Sequence, residues 1–250
     1  MSMAIDLSGK VAVVTGGGTG IGRAISLTLA HHGASVAIVY SRSRQDAENT
    51  VSTIKETGGQ ALALQADVCQ DGQVKAMISS VVETFGGIDY LVNNAAITKQ
   101  LPFDDLDAIE DNDWDRLYAT NVKGAFFCSR AAAPYLKAGP GGAIVNIGSI
   151  AGETGYGSSI PYAVSKAAMH GLTKSLARAL APQVRVNGVM PGAVLTRWWE
   201  GDEDKMHALS GTLPLQRIST PEDIADTTLM LLTAQSVTGQ NIKAENGQTL

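Results

Sequence analysis

The amino-acid sequence predicts an α/β fold, a doubly wound parallel sheet of seven strands with helices on both faces. Short apolar runs rich in β-branched residues have the composition of strands that are buried on both faces. Segments with helical spacing alternate with these runs, which is the order that produces a parallel sheet. No linker or shift in composition interrupts the pattern, so we expect a single domain over residues 1–250.

The elements can be placed in order along the chain. The predicted strands cover residues 10–15, 35–40, 61–66, 88–92, 142–149, 184–189 and 240–244. About six helices lie between them, and the clearest cover residues 21–33, 71–85, 162–180 and 220–232. The polar stretch at residues 201–211 is predicted to be a mobile insertion, within a substrate lid over about residues 193–215.

Composition and charge exclude several classes of protein. The formal net charge of −5 argues against a nucleic-acid binder, which needs a basic surface. No apolar run approaches the ~18 residues that a membrane-spanning helix requires, and the first residues lack a signal-peptide pattern. We therefore expect a cytoplasmic protein with no membrane partner. Cys69 and Cys128 form no Cys-x-x-Cys pair and are expected to be buried, reduced thiols.

The acidic stretch at residues 104–115 begins like a calcium-binding loop. Asp111, Asp113 and Asp115 have the spacing of its first three ligands. Arg116, however, stands where such a loop needs glycine, and Val122 stands where it needs a bidentate glutamate. The sequence therefore predicts no metal site, and we expect these carboxylates to cap a helix and cover surface.

A glycine-rich turn at residues 16–22 links the first predicted strand to the first helix. Glycine permits a tight turn and the close approach of the backbone to a ligand. The N–H groups and dipole at a helix N-terminus stabilise an anion. This order of elements predicts a dinucleotide pyrophosphate site in a Rossmann-type sheet, although a plain glycine-rich turn is the alternative.

The end of the second strand indicates which dinucleotide is bound. A Rossmann-type site places an acid there to hold the ribose 2′-hydroxyl of NAD, or an arginine to accommodate the 2′-phosphate of NADP. Residues 39–43 contain no acid, and Arg42 lies between Ser41 and Ser43. The sequence favours NADP(H), with NAD(H) as the second choice; Arg42 as a solvated surface charge remains the alternative.

Tyr162 and Lys166 form a candidate acid–base pair. They are four residues apart on the helix that follows Pro161, so their Cβ atoms should lie about 5–6 Å apart on one face. An adjacent ammonium stabilises a phenolate, and we expect Lys166 to lower the pKa of Tyr162. A tyrosine tuned in this way can act as a general acid or base, although this spacing also arises by chance.

Other polar residues follow strands at the edge where open α/β sheets bind ligands. Asn94 follows the fourth strand, and Ser149 ends the fifth. Trp198 and Trp199 could form the wall of an apolar substrate pocket, or could pack against the protein or a neighbouring subunit. The residues expected near such a pocket are Gln100, Glu153 and Tyr156.

Together these residues resemble the short-chain dehydrogenase/reductase family over essentially the whole chain. The motifs that carry the resemblance, in the family's order, are Thr15-Gly16-x-x-x-Gly20-Ile21-Gly22, Asn93-Asn94-Ala95, Asn121, Ser149, Tyr162-x-x-x-Lys166 and Pro191-Gly192. Each is weak alone, but their joint occurrence is specific. Ala96 departs from the glycine that often ends the Asn-Asn-Ala motif. Thr19 stands where many members that prefer NADP carry a basic residue.

The resemblance implies a catalytic group of Asn121, Ser149, Tyr162 and Lys166. Tyr162 would exchange a proton with the substrate oxygen, and Ser149 would hold that oxygen. Lys166 would bind the nicotinamide ribose, and Asn121 would help to hold a water relay. The implied cofactor contacts are Gly16, Thr19, Gly20, Ile21, Gly22, Ser41, Arg42, Ser43, Asp67, Val68, Asn94, Ala95, Tyr162, Lys166, Pro191, Gly192 and Thr196.

The expected function is therefore an NADP(H)-dependent oxidoreductase that acts on a small carbonyl or secondary alcohol. A 3-oxoacyl-acyl-carrier-protein reductase is the closest alternative, and an NADP-binding regulatory protein without turnover is the alternative from another class. Members of the family are commonly homotetramers. A stripe of small residues on the helix after Tyr162 would suit their interface: Ala163, Ala167, Gly171, Ser175 and Ala179.

Overall fold

The computed structural model describes residues 5–197 and 203–250, with the backbone alone for residues 203 and 205–207. Seven parallel strands form one sheet in the order β3-β2-β1-β4-β5-β6-β7. They are β1 (Val11–Thr15), β2 (Ser35–Tyr40), β3 (Ala61–Gln65), β4 (Tyr90–Asn93), β5 (Gly142–Ile147), β6 (Val184–Pro191) and β7 (Asn241–Ala244). The predicted fold class, including the number of strands, is confirmed.

Helices cover both faces of this sheet. In chain order they are α1 (Gly20–His31), α2 (Arg44–Glu56), α3 (Asp71–Phe85), α4 (Asp111–Tyr118), α5 (Ala125–Ala138), α6 (Ala151–Thr154), α7 (Ile160–Leu180), α8 (Glu203–Ser210) and α9 (Pro221–Thr233). A short 3-10 turn, Leu106–Ala108, precedes α4, and a π-helical turn, Ala119–Gly124, joins α4 to α5. In the part of the chain that the structure describes, no helix has both the length and the apolar character needed to cross a membrane.

Two apolar clusters, one on each face, hold the helices to the sheet. On one face, Ile25 of α1 and Ile224 of α9 pack with strand residues such as Val14. On the other, Ile78 of α3 and Leu136 of α5 pack with strand residues of the opposite orientation, including Val13. Alternate residues of β1 therefore enter opposite clusters, which explains why its run is apolar throughout.

The structure corrects several predicted boundaries. Strand β4 begins two residues later than predicted, and β5 ends at Ile147, so Ser149 lies in the connection beyond the strand. Part of the predicted insertion at residues 201–211 forms helix α8. Polar residues occur in short surface helices as well as in loops, so composition alone did not distinguish a helix from a loop here. Whether the predicted lid moves stays a prediction.

The glycine-rich turn requires glycine at specific positions. Gly16 and Gly20 have φ angles of +64° and +49°, in the left-handed region that favours glycine. Gly22 has a different constraint, because a Cβ there would lie 2.1 Å from the carbonyl oxygen of Gly16 and 2.5 Å from Nδ2 of Asn94. The turn therefore closes against the first residues of α1 without room for a side chain at Gly22.

We predict that Gly22→Ala lowers the free energy of unfolding by about 3 kcal/mol, through overpacking and the loss of hydrogen bonds from Asn94. Gly72→Ala is the matched control, because Gly72 lies in the first turn of α3 with nothing within 4 Å of a Cβ. The control should be neutral or more stable by up to about 1 kcal/mol. Urea unfolding followed by circular dichroism measures both, and equal stability of the two variants would contradict the steric argument.

Candidate active site

Helix α7 presents Tyr162 and Lys166 on the same face. The helix begins at Ile160, with Pro161 in its first turn, and the Ser159 Oγ caps it by accepting a hydrogen bond from the Tyr162 amide at 3.4 Å. Nζ of Lys166 lies 5.7 Å from the centroid of the Tyr162 ring. The predicted juxtaposition of ammonium and phenol is therefore present.

Lys166 is a buried cation. Its side chain is 3% exposed, and Nζ donates a hydrogen bond to the carbonyl oxygen of Ile147 at 3.0 Å. Burial disfavours the charged form and lowers the pKa of Lys166 to about 8. Because Ile147 is the last residue of β5, this contact fixes α7 to the carboxyl end of that strand.

Tyr162 hydrogen-bonds the side chain of Ser149, which brings the two hydroxyl groups together. Burial raises the pKa of Tyr162 to about 12, and the hydrogen bond from Ser149 opposes this rise without cancelling it. The prediction that Lys166 lowers the pKa of Tyr162 is therefore wrong for the protein by itself. Desolvation of the phenol outweighs an ammonium that is directed to a backbone carbonyl and is itself easily deprotonated.

Ser149 lies two residues beyond β5 and is half-buried. Its Oγ accepts a hydrogen bond from the amide of Ala151 at 3.1 Å, at the start of α6. This contact and the one to Tyr162 hold the Ser149 hydroxyl between α6 and α7. A substrate oxygen placed between the two hydroxyls could receive a hydrogen bond from each.

Asn121 links three segments of the site. It lies in the π-helical turn and is 1% exposed. Its Oδ1 accepts from the amide of Ile97 at 2.9 Å, and Nδ2 donates to the carbonyl of Ile97 and to Oγ of Ser165, both at 3.0 Å. Ser165 in turn donates to the carbonyl oxygen of Tyr162 at 2.7 Å. The Asn121 side chain thus holds the segment after β4 against α7, and its predicted part in a water relay stays a prediction.

Thr15 and Asn94 hold the glycine-rich turn. Oγ1 of Thr15 accepts from the amides of Asn94 and Ala95, each at 3.0 Å. Nδ2 of Asn94 donates to the carbonyls of Thr15 at 2.9 Å and Gly16 at 3.2 Å. The side-chain amide of Asn94 thus stabilises the glycine-rich turn, and its predicted contact with the cofactor stays a prediction.

The turn fits a dinucleotide pyrophosphate. Thr19 occupies the N-cap position of α1 but makes no side-chain capping hydrogen bond, and the first turn contains no acid. The N–H groups at this helix end therefore have no capping side chain, which leaves them for an anionic ligand. Ile21 is half-buried beside them, and Cγ2 of Thr196 would lie 3.4 Å from a Cβ at Gly20. Thr196, predicted as a cofactor contact far along the chain, thus lies against the glycine-rich turn near its start.

The remaining predicted cofactor residues lie in the connections after β2, β3 and β6. Ser41 and Arg42 are exposed, and Ser43 precedes α2 without capping it. Arg42 has no ion pair with any residue that the structure describes.

Asp67 and Val68 follow β3. Oδ1 of Asp67 accepts from the amide of Cys69 at 2.9 Å, and Val68 packs on Gly124. Pro191 ends β6, and the next residue, Gly192, lies against Gln248.

The structure also shows contacts that sequence reasoning missed. Phe103 stacks on Tyr156 with 5.1 Å between ring centroids, and a Cβ at Gly157 would lie 3.2 Å from the Tyr162 ring. Glu153 forms an ion pair with Lys243 of β7, and its expected place near a substrate pocket stays a prediction. The Phe103–Tyr156 and Glu153–Lys243 contacts have no spacing signal, because each joins residues far apart in the chain. Trp198 and Trp199 lie outside the described residues.

The prediction that both cysteines are buried is confirmed for Cys128 and is wrong for Cys69, which is half-buried. Cys69 and Cys128 are both free, Cys128 is buried, and Cys69 is half-buried with Sγ 3.2 Å from Oγ1 of Thr120. Burial raises the pKa of both thiols. Both groups are therefore poor nucleophiles, as expected of structural cysteines.

The chain is similar in sequence to known proteins. The family model described as short chain dehydrogenase matches residues 10–207. The short-chain dehydrogenase/reductase homolog YusR of Bacillus subtilis is 60% identical over 129 residues, which is 52% of this chain and 100% of that protein. The 3-oxoacyl-acyl-carrier-protein reductase FabG of Staphylococcus aureus is 40% identical over 242 residues, covering 95% of this chain and 97% of FabG.

A solved structure has the same fold. The short chain dehydrogenase from Burkholderia cenocepacia J2315, in complex with NADP, is 36% identical and superposes with a TM-score of 0.90, covering 98% of this chain and 99% of that one. The match to the family model spans most of the chain, and the similarity to FabG spans nearly all of it. The chain belongs to the short-chain dehydrogenase/reductase family of oxidoreductases.

Proposed function

We propose that the protein is an NADP(H)-dependent oxidoreductase that transfers a hydride between the nicotinamide and a small carbonyl or secondary alcohol. The observation that carries the proposal is the hydrogen bond between the hydroxyls of Ser149 and Tyr162, with the buried Lys166 beside them. Two hydroxyl donors at one point are suited to a carbonyl oxygen that gains negative charge. A panel of ketones and secondary alcohols, assayed with NADPH and NADH or their oxidised forms, tests this function directly.

The chain's own residues would move the proton. The bound dinucleotide supplies or accepts the hydride. Tyr162 is held in its neutral form by burial and donates its proton to the substrate oxygen, while Ser149 hydrogen-bonds the same oxygen. Lys166 lies behind the phenol and stabilises negative charge left on it. In alcohol oxidation the same groups act in reverse.

NADP(H) is the cofactor that the chain's residues favour. Arg42 lies directly after β2, is exposed and has no ion pair with a described residue, so its guanidinium can accept a 2′-phosphate. The relative from Burkholderia cenocepacia, which is similar throughout, was solved with NADP. NAD(H) is the second choice, because Thr19 adds no positive charge to the site.

Similarity to FabG favours a second candidate, a 3-oxoacyl-acyl-carrier-protein reductase. Three exposed carboxylates follow Phe103 of the aromatic stack with Tyr156: Asp104, Asp105 and Asp107. An acidic carrier protein would be repelled by this charge. We therefore place the small carbonyl first, and a comparison of kcat/KM for a free ketone and for a carrier-bound 3-oxoacyl thioester separates the two candidates.

A regulatory protein without turnover is a weaker proposal, because all four candidate catalytic residues are present and three of them meet at one place. We also propose a cytoplasmic, single-domain protomer that assembles as a homotetramer. In the small-residue stripe of α7, Ala163 is buried, but Ala167, Gly171, Ser175 and Ala179 are exposed and open to a second helix. Light scattering tests the assembly.

Tyr162→Phe should lower kcat/KM for ketone reduction by about 10²–10⁴-fold, because it removes the proton donor and keeps the ring. NADPH binding, measured by fluorescence titration, should change little. Tyr118→Phe is the matched control, because it makes the same change at an exposed tyrosine of α4, and it should keep full activity. Unchanged turnover of Tyr162→Phe would exclude the proposed mechanism.

Arg42→Ala should raise the KM for NADPH by roughly 10–100-fold, the equivalent of one charged hydrogen-bonding group, and should leave the KM for NADH nearly unchanged. Arg44→Ala is the control, because Arg44 is exposed two residues later and pairs with Glu48 at 3.6 Å. Steady-state kinetics with both cofactors make the comparison. An equal loss with NADPH and NADH would show that Arg42 does not read the 2′-phosphate.

Lys166 should make stability depend on pH in a defined window. Its pKa falls from 10.5 to about 8 on folding, so between these values the unfolded chain binds more protons. Stability relative to Lys166→Met should therefore rise by about 3 kcal/mol as the pH increases from 8 to 10.5. Denaturant unfolding of both proteins across this range measures the difference, and a constant difference would show that Lys166 is not a desolvated cation.

A further inference from the structure

A cleft of about 330 Å³ opens at the amino edge of the sheet, opposite the candidate active site. It lies where β5 and β6 begin, near the ends of α5, α7 and α9. Its polar side chains are Lys137, Gln183, Arg185 and Gln235, and the backbone of residues 139–142 forms another wall. No aspartate or glutamate among the described residues lines it, so both of its charged side chains, Lys137 and Arg185, are cations, beside the partial negative charge at the carboxyl ends of α5, α7 and α9.

Arg185 is a buried cation without a carboxylate partner. It is 9% exposed; Nη1 donates to the carbonyl of Leu231 at 2.8 Å and Nη2 to that of Leu232 at 2.6 Å. Its Nε is buried and has no hydrogen-bond partner among the described residues. The two carbonyls at the end of α9 compensate part of the charge through the helix dipole. An anion in the cleft would compensate more, because a buried charge without a counter-ion is costly.

A carboxylate near the cleft does not neutralise this charge. Oδ1 of Asp89 lies 3.6 Å from the position of a Cβ on Gly139. Both of its oxygens are occupied, however, because Oδ1 accepts from Nζ of Lys10 at 2.8 Å and Oδ2 from the amide of Val11 at 2.9 Å. Lys137 is exposed at the mouth of the cleft and has no ion pair with a described residue. Neither Lys137 nor Arg185 therefore has a carboxylate partner among the described residues.

We propose that this cleft is a second ligand site, distinct from the dinucleotide site, that binds a small polyanion through its phosphate or carboxylate groups. The long side chain of Lys137 supplies an adjustable ammonium, and Arg185 supplies a fixed positive charge at the base. The amides of Gln183 and Gln235 offer N–H donors to the remaining oxygens. The volume exceeds that of a single oxyanion and leaves space for the body of a small metabolite.

The test is isothermal titration calorimetry of the full chain with pyrophosphate and, separately, with citrate, at constant ionic strength. Saturating NADPH is present so that neither anion competes at the glycine-rich turn. Lys137→Glu should bind about ten-fold more weakly than wild type, the equivalent of one charge-assisted contact. Lys55→Glu is the matched control, because Lys55 is an exposed lysine at the end of α2 with the same change of charge. It should bind like wild type.

The two anions distinguish the sources of the ligand. Binding of pyrophosphate alone assigns the cleft to phosphate compounds, and binding of citrate alone assigns it to polycarboxylates. If Lys137→Glu is too unstable to titrate, Gln235→Glu places a negative charge at the same mouth and should weaken binding equally. The proposal is overturned if neither anion binds wild type, or if the cleft variants and Lys55→Glu bind equally well.

Discussion

The hydrogen bond from Lys166 to the carbonyl of Ile147 is the contact on which the candidate site depends. It fixes α7 to the carboxyl end of β5 and places the buried Lys166 ammonium beside the half-buried Tyr162 ring. Burial acts on the two groups in opposite directions, raising the pKa of Tyr162 and lowering that of Lys166. Both shifts favour the uncharged forms. The protein by itself therefore keeps a proton on the phenol, which is the state needed to protonate a carbonyl oxygen.

Polar side chains connect the other parts of the site through nearly all of their hydrogen-bonding groups. Asn121 uses its oxygen and both N–H groups to hold Ile97 and Ser165. Thr15 and Asn94 do the same between β1, β4 and the glycine-rich turn. Because buried polar groups are costly when unpaired, these contacts favour one arrangement of the loops over others. The loops that carry the site are thereby fixed before a ligand binds.

The sequence was sufficient for the fold and for several of the residues that meet at the candidate site, for identifiable reasons. Strands such as β1 are buried on both faces, so their apolar runs are unambiguous, and glycines with positive φ angles mark the turn. The sequence was insufficient where two effects compete or where contacts are long-range. The neighbouring ammonium was visible in the spacing of Tyr162 and Lys166, but the larger effect of burial was not. The pairing of Glu153 with Lys243 depends on where β7 lies, which no local pattern encodes.

The π-helical turn between α4 and α5 has a consequence for how this chain can change. Each residue of an α-helix advances the winding by about 100°, so one additional residue in a turn redirects everything that follows. Ala119–Gly124 allows Asn121 to point at α7, while Cys128 and Leu136 further along still enter the apolar layer under the sheet. Loss of a single residue here would restore regular α-helical winding. Either the Asn121 side chain would then no longer face α7, or Cys128 and Leu136 would no longer face the sheet. Insertions and deletions in this family member should therefore accumulate elsewhere, and this six-residue segment should retain its length even where its composition drifts.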